Sequence, residues 1–347
     1  MIIGVCGYTS TGSSAVSDYL KEYSDVSVLD NLEFTITHHP DGLEDLDYHL
    51  NEKISKFTSS TVAIKRFRRC IHTLLYKEIG SQVDEITDRF IAKICQAKWY
   101  GYASNDFVLY NTWMYKNVYM RIIRGHFFEP LANKFDIYPN IFPAREMEYS
   151  CMPDGFEKAA IEFIEEILEA LGADLSKNII LDQPFAGNDP FRSFKYYTDP
   201  IAIIVDRDPR DNYIFAKEVL KARGRQIPTN TVEDFIAYYK NMRKSPINES
   251  DRVLKVQFED MVYEYEKTTE RLIEFLNLDR SNHTRKLFVP EQSKHNTYLF
   301  DKFKKYSDDV RIIEKELPEY LFDFSKHKDQ LPSTEGKMFY GRSPLNK

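Results

Sequence analysis

Two stretches of this chain have the residue types and spacing to hold an anion. The first is Gly7-Tyr8-Thr9-Ser10-Thr11-Gly12-Ser13-Ser14, where hydroxyl side chains stand between and just after two glycines. Glycines at both ends let the backbone turn tightly, so that consecutive N–H groups converge on an anion at a helix N-terminus, helped by the helix dipole. The spacing matches an NTPase P-loop, but Ser13 stands where that pattern has lysine, the group that bridges the β- and γ-phosphates. The second is Asp206-Arg207-Asp208-Pro209-Arg210-Asp211, where a strand is expected to meet a helix and Arg207 would lie near the same sheet edge as the loop. Further polar residues collect at other expected strand ends: Asp30 to Glu33, then His38, His39 and Asp41 in a loop, and Asp182-Gln183-Pro184. Gln183 there is a candidate substrate contact. Lys65-Arg66-Phe67-Arg68-Arg69 is a dense basic run, which in most proteins is a solvated helix face and here is also a candidate for an anionic ligand.

The elements that must position these residues follow from periodicity. Ile2 to Cys6 is an apolar, β-rich run suited to a buried parallel strand, and from Ser13 the residues Ala15, Val16, Tyr19, Leu20 and Tyr23 recur at helical spacing. Further strands are predicted at Val26–Leu29, Asn178–Leu181, Ile201–Val205 and Val253–Phe258, in the ordering of an open α/β sheet whose ligands gather at strand ends. Asp208 reads as an N-cap, with Pro209 at the first helical position and the helix running to Gly224. A second helix follows Glu259-Asp260 through Leu276. From about residue 46 to 142 the chain turns aromatic-rich and helical in spacing, which reads as a helical insertion. Within it, Trp99-Tyr100-Gly101-Tyr102 suits stacking on a sugar or a base, although core packing is the plainer expectation. Phe156 to Leu171 is a helix stopped by Gly172, and His327 to Lys347 has the composition of a loose tail, leaving residues 1–326 as a single α/β domain.

Composition narrows the classes. With 347 residues, 42% hydrophobic and 14% aromatic, the chain can bury a large core. A net charge of −7 argues against a dedicated nucleic-acid binder, so any anionic ligand is held locally. Cys6, Cys70, Cys95 and Cys151 show no metal-ligand spacing and read as reduced thiols, and no apolar run is long enough to span a membrane. The first strand begins at once, leaving no room for a signal peptide, so a cytoplasmic protein is expected.

Three blocks together resemble the sulfotransferase family that uses 3′-phosphoadenosine 5′-phosphosulfate (PAPS) as donor. Gly7 to Ser14 resembles its 5′-phosphosulfate loop. Ile203 to Asp211, reading IIVDRDPRD, resembles its 3′-phosphate segment, and Val256 to Leu276 resembles its strand-Glu-Asp-helix block. The resemblance covers well under a third of the chain. It implies a P-loop-like three-layer fold, with a central, mainly parallel sheet of about five strands flanked by helices. It also implies PAPS bound by residues 7 to 14 and Arg207, transfer to a hydroxyl of a glycan or small molecule, and no metal. Two positions depart from the family pattern: the loop lacks the usual Lys or Arg, and Phe215 stands where the family has serine. The resemblance points to Lys294 as the replacement cation; Lys65, in the helical insertion, is another candidate and also a candidate substrate contact. It makes Glu33 the first choice for the catalytic base, with His38 and His39 second. The alternatives are a P-loop-type kinase or NTPase, and a non-catalytic nucleotide- or glycan-binding protein on the same fold.

Overall fold

β1 (Ile2–Gly7) is buried along almost its whole length, as a strand with no polar alternation should be when helices cover a parallel sheet. It is the middle strand of five in the computed structural model, which describes residues 1–53, 60–101, 126–127, 130–131, 134, 145–220, 226–245, 247–333 and 338. The order along the sheet is β2 (Val26–Glu33), β5 (Asn178–Asp182), β1, β6 (Pro200–Asp206), β7 (Val253–Gln257), and every neighbouring pair is parallel. The expected α/β fold with five parallel strands is therefore present. The chain leaves β1 for β2 and β5 on one side and later adds β6 and β7 on the other. The C-terminal end of β1 thus sits where the strand order reverses, the place at which open α/β sheets form a ligand crevice.

Helix α1 (Ser13–Leu20) returns from that end of β1 and packs Val16, Tyr19 and Leu20 with Ile3, Val5, Ile203, Val205 and Leu254. A second core joins Tyr213 and Phe215 of α5 (Pro209–Phe215), Phe235 and Tyr239 of α6 (Val232–Met242) and Ile313 of α9 (Ser307–Glu316). Each such fully buried apolar side chain is worth about 1.5–3 kcal/mol. The helix expected through Leu276 is two, α7 (Phe258–Tyr263) and α8 (Tyr265–Leu276), broken at Glu264. The helix expected to reach Gly224 is α-helical only to Phe215 and continues as a wider turn to Leu220; residues 221–225 lie outside the described residues. β2 runs on to Glu33, past the predicted Leu29, because a register shift between Leu29 and Glu33 lets pairing with β5 resume.

The chain divides into two compact units: Met1–Thr35 with Gly172–Lys347, and Ile36–Leu171. The second begins before residue 46 and ends after residue 142. It contains α2 (Ser60–Ile79), α3 (Gln82–Ile94), the antiparallel pair β3 (Ala97–Gly101) and β4 (Arg145–Tyr149), and α4 (Phe156–Ala170). Its core is aromatic: Phe90 stacks on Phe163 at 4.9 Å, and Phe67 meets both. Trp99 and Tyr100 are not in that core. They lie on a two-stranded ribbon and are 48% and 77% exposed; Tyr102 lies outside the described residues. The predicted stop at Gly172 holds, with φ of +90° after α4. The segment expected as a loose tail starts at His327, which is buried and stacks on Tyr263 and Phe322. Among the described residues no helix is long and apolar enough to cross a membrane, and all four cysteines are free.

Candidate anion-binding loop and its supports

The sharp exit from β1 needs unusual backbone. Thr9 and Ser10 adopt left-handed φ values of +69° and +59°, and Gly12 reaches +91° just before α1 begins. Side chains from elsewhere in the first unit hold this shape. Gln183, itself at φ +53°, accepts the Gly7 N–H through Oε1 at 3.1 Å and donates from Nε2 to the Ser13 hydroxyl at 3.3 Å, tying the loop's two ends. Thr11 Oγ1 accepts the Tyr8 N–H at 3.3 Å. Asn212 Nδ2 donates to the carbonyls of Thr9 and Ser10 at 3.2 and 3.3 Å, and Arg207 Nη1 donates to Ser10 O at 3.3 Å.

The carbonyls of Thr9 and Ser10 are thus occupied, while the loop's N–H groups from Thr9 onward are not. Among the described residues, no acceptor meets the main-chain N–H groups from Thr9 through Ser14. Unpaired N–H groups in successive left-handed and helix-starting residues form a concavity that takes an anion.

Arg207 lies under this loop rather than at an open face. It is 2% exposed, its Nη2 donates to Asn296 O, and its guanidinium sits over the rings of Phe215 and Phe258 at 4.5 and 5.1 Å. Phe215, in the position where the resembled family has serine, therefore forms one wall of the guanidinium's slot. Burial lowers the Arg207 pKa, opposed by the charges of Asp211, Glu259 and Asp208. Arg207, expected at a 3′-phosphate, is held here by main-chain carbonyls and aromatic rings, while its Nε is buried and meets no hydrogen-bond partner among the described residues.

The other two sequence blocks meet Arg207 here. Asp208 caps α5 by accepting the Arg210 N–H at 2.8 Å, as predicted, and its own N–H donates to Glu259 Oε1 at 3.1 Å. Asp211 accepts the N–H groups of Tyr298 and Leu299 at 2.6 and 2.7 Å. Arg207 and Asp211 together bolt the 294–299 turn down beside the loop. Burial, then the charges of Asp208 and Asp211, pushes the Glu259 pKa well above the carboxylate range; burial and then Asp208 push Asp211 up to about 7.

Lys294 lies on that turn, two residues before Asn296. It is half-buried, and its ammonium meets no partner among the described residues. The single Arg207 guanidinium that touches both Ser10 O and Asn296 O sets how near this turn comes to the loop.

Glu33 is exposed at the end of β2, in register with Asp182. Gln183, expected at the substrate, has its amide committed to the loop. His38, His39 and Lys65 belong to the second unit: His38 and Lys65 are half-buried, and exposed His39 has Nδ1 2.7 Å from Pro40 O. Sequence reasoning missed Asn212 and Arg243. Arg243 holds Asp206 at 2.9 and 2.5 Å and lies 4.1 Å over the Tyr8 ring, which fixes the loop's first side chain. Asn212 was one residue beyond the quoted block, whereas no local signal marks Arg243, 37 residues from its partner.

No protein-family model matches the chain, and no curated protein matches it. Solved structures similar to the chain include two sulfotransferases. The sulfotransferase domain from the Synechococcus PCC 7002 olefin synthase shares 11% identity over 82% of this chain and 74% of its own, with a TM-score of 0.37. Sulfotransferase STF9 from Mycobacterium avium shares 11% identity over 97% of this chain and 77% of its own, with a TM-score of 0.36. At such distances the chemistry has to be read from this chain's own residues.

Proposed function

We propose that this chain is a sulfotransferase that takes PAPS as donor and a hydroxyl of a glycan or small molecule as acceptor. The observation that carries this reading is the loop from Thr9 to Ser14, whose N–H groups are unpaired and which has no lysine. Such a loop holds an anionic group by main-chain donors but does not supply the bridging cation of ATP chemistry. The family resemblance of the three blocks supports the donor's identity.

Sulfuryl transfer breaks the bond between sulfur and the donor's phosphate oxygen and forms one to the acceptor oxygen, while the hydroxyl proton passes to a base. The protein's tasks are alignment and stabilisation of charge on the departing phosphate. In this reading the Thr9 to Ser14 N–H groups hold the phosphosulfate, Lys294 supplies the missing cation and exposed Glu33 takes the proton. The free cysteines fit a reducing, cytoplasmic setting.

Adenosine 3′,5′-bisphosphate is expected to raise the melting temperature more than ADP or ATP with magnesium; equal stabilisation by ATP with magnesium would overturn the donor assignment. Glu33→Gln is expected to lower turnover in a radiolabelled sulfate-transfer assay by roughly 10²–10⁴-fold, with donor binding intact. The second reading is a non-catalytic binding protein, which the loop's lack of charge favours. Donor binding without transfer to any hydroxyl in a broad acceptor panel would select it.

A further inference from the structure

The second unit has a pocket of its own, of about 370 Å³, between the loop at His39 to Asp41 and one face of α2. Arg66, Arg69, Cys70, Thr73 and Leu74 line that face, at the three- and four-residue spacing that aligns side chains along a helix.

The helix sorts the basic run of the sequence by direction. Phe67 enters the aromatic core, and Arg68 pairs with Asp88 and Glu148. Arg66 pairs with Asp41, the only carboxylate among the described residues lining the pocket. Asp41 is fixed for this by a left-handed φ of +68° and by its N–H, which donates to Asp45 Oδ2 at 2.7 Å. Arg69 is left over: it is exposed, and its guanidinium meets no acceptor among the described residues. The wall therefore carries one more cation than anion before His39 is counted.

The rest of the described lining is uncharged. Cys70 is buried beside His39, with Sγ 3.6 Å from Nδ1, and burial followed by the charges of Asp41 and Asp45 pushes its thiol up to about 11. It is a neutral surface at physiological pH, and Leu74 and Pro40 extend it. A fork of positive charge beside an apolar wall suits an oxyanion on a compact apolar body.

We propose that this pocket binds a small organic anion, its carboxylate, sulfate or phosphate head on Arg69 and Arg66 and its body against Cys70 and Leu74. The site stands independently of the sulfuryl-transfer reading, since its residues all belong to the second unit.

Calorimetric titration of the full chain with phenyl phosphate, inorganic phosphate and phenol tests it, with hydrogen exchange to locate the ligand. Phenyl phosphate is expected to bind more tightly than either fragment and to protect residues 66–74. Arg69→Gln is expected to weaken it roughly tenfold or more, the loss of a charged hydrogen bond. Arg69 is exposed, so an unchanged melt will confirm that the variant is folded. Absent binding, unchanged affinity in Arg69→Gln, or protection confined to residues 7–14 would each overturn the proposal. Binding of adenosine 3′,5′-bisphosphate at the Thr9 to Ser14 loop is read separately, so the two assignments fail independently.

Discussion

Asp206 to Asp211 and Lys65 to Arg69 are both dense charged runs in the sequence, and the fold treats them in opposite ways. The first follows a central strand, and a parallel strand delivers its last residues into the middle of the molecule. Arg207, Asp208, Arg210 and Asp211 are consequently buried and paired among themselves, with Glu259 and with main-chain groups. The second lies on a helix, where successive residues diverge by about 100°. Its members reach different surroundings, and Arg69 is left facing solvent. Buried charges at a strand end become scaffold, whereas helix-borne charges remain available to a ligand.

Removing one partner from each run breaks or upholds this contrast most directly. Arg207→Ala strips the cation from a cluster in which Asp208, Asp211 and Glu259 are all fully buried, and it frees the carbonyls of Ser10 and Asn296. It is expected to cost about 3–5 kcal/mol in urea denaturation. Arg69→Ala is expected to stay within about 0.5 kcal/mol of the parent. Near-parental stability for Arg207→Ala, with donor binding lost, would make Arg207 a ligand after all.

The loop comes next in magnitude. Gly12 combines φ of +91° with a close approach to Phe258, whose ring a Cβ would meet. Since Phe258 also walls the Arg207 slot, Gly12→Ala disturbs the loop and its scaffold together. A cost of about 1–3 kcal/mol is expected from the backbone strain, together with weaker binding of adenosine 3′,5′-bisphosphate in the same melts. A tolerated alanine would show that the loop can relax without its scaffold.

Much of this organisation is legible in sequence because it is local. An apolar run for β1, glycine spacing for the loop, and Asp208-Pro209 for the start of α5 all act within a few residues, and each stands in the structure as read. The surroundings of Arg207 are not legible. Whether an arginine faces a ligand or lies beneath a loop depends on the carbonyls of Ser10 and Asn296 and on the rings of Phe215 and Phe258, scattered along the chain. The hydrogen bonds of Gln183 are not legible for the same reason: a strand-end amide can face outward or turn back on β1, and only the pairing of β1 with β5 decides. Trp99 and Tyr100 show the converse, since aromatic composition implies burial only when a layer covers the strand that carries it.

A further test separates the two runs by pH. Asp211, buried and beside Asp208, has its pKa pushed up to about 7, whereas an unfolded aspartate titrates near ~3.9. Between those values the folded protein keeps a proton that the unfolded chain releases. The associated stability is fully present below about pH 4 and is lost as pH rises through about 7, at up to ~1.4 kcal/mol per pH unit. Glu259 is raised in the same direction and adds to the slope. Guanidinium denaturation from pH 4.5 to 7.5 is expected to show the decline in the parent and in Arg69→Gln, which has no part in the cluster. Asp211→Asn is expected to flatten it. An unchanged slope in Asp211→Asn would mean that Arg207 and the two N–H groups keep Asp211 ionised, and that the cluster is scaffold by charge pairing alone.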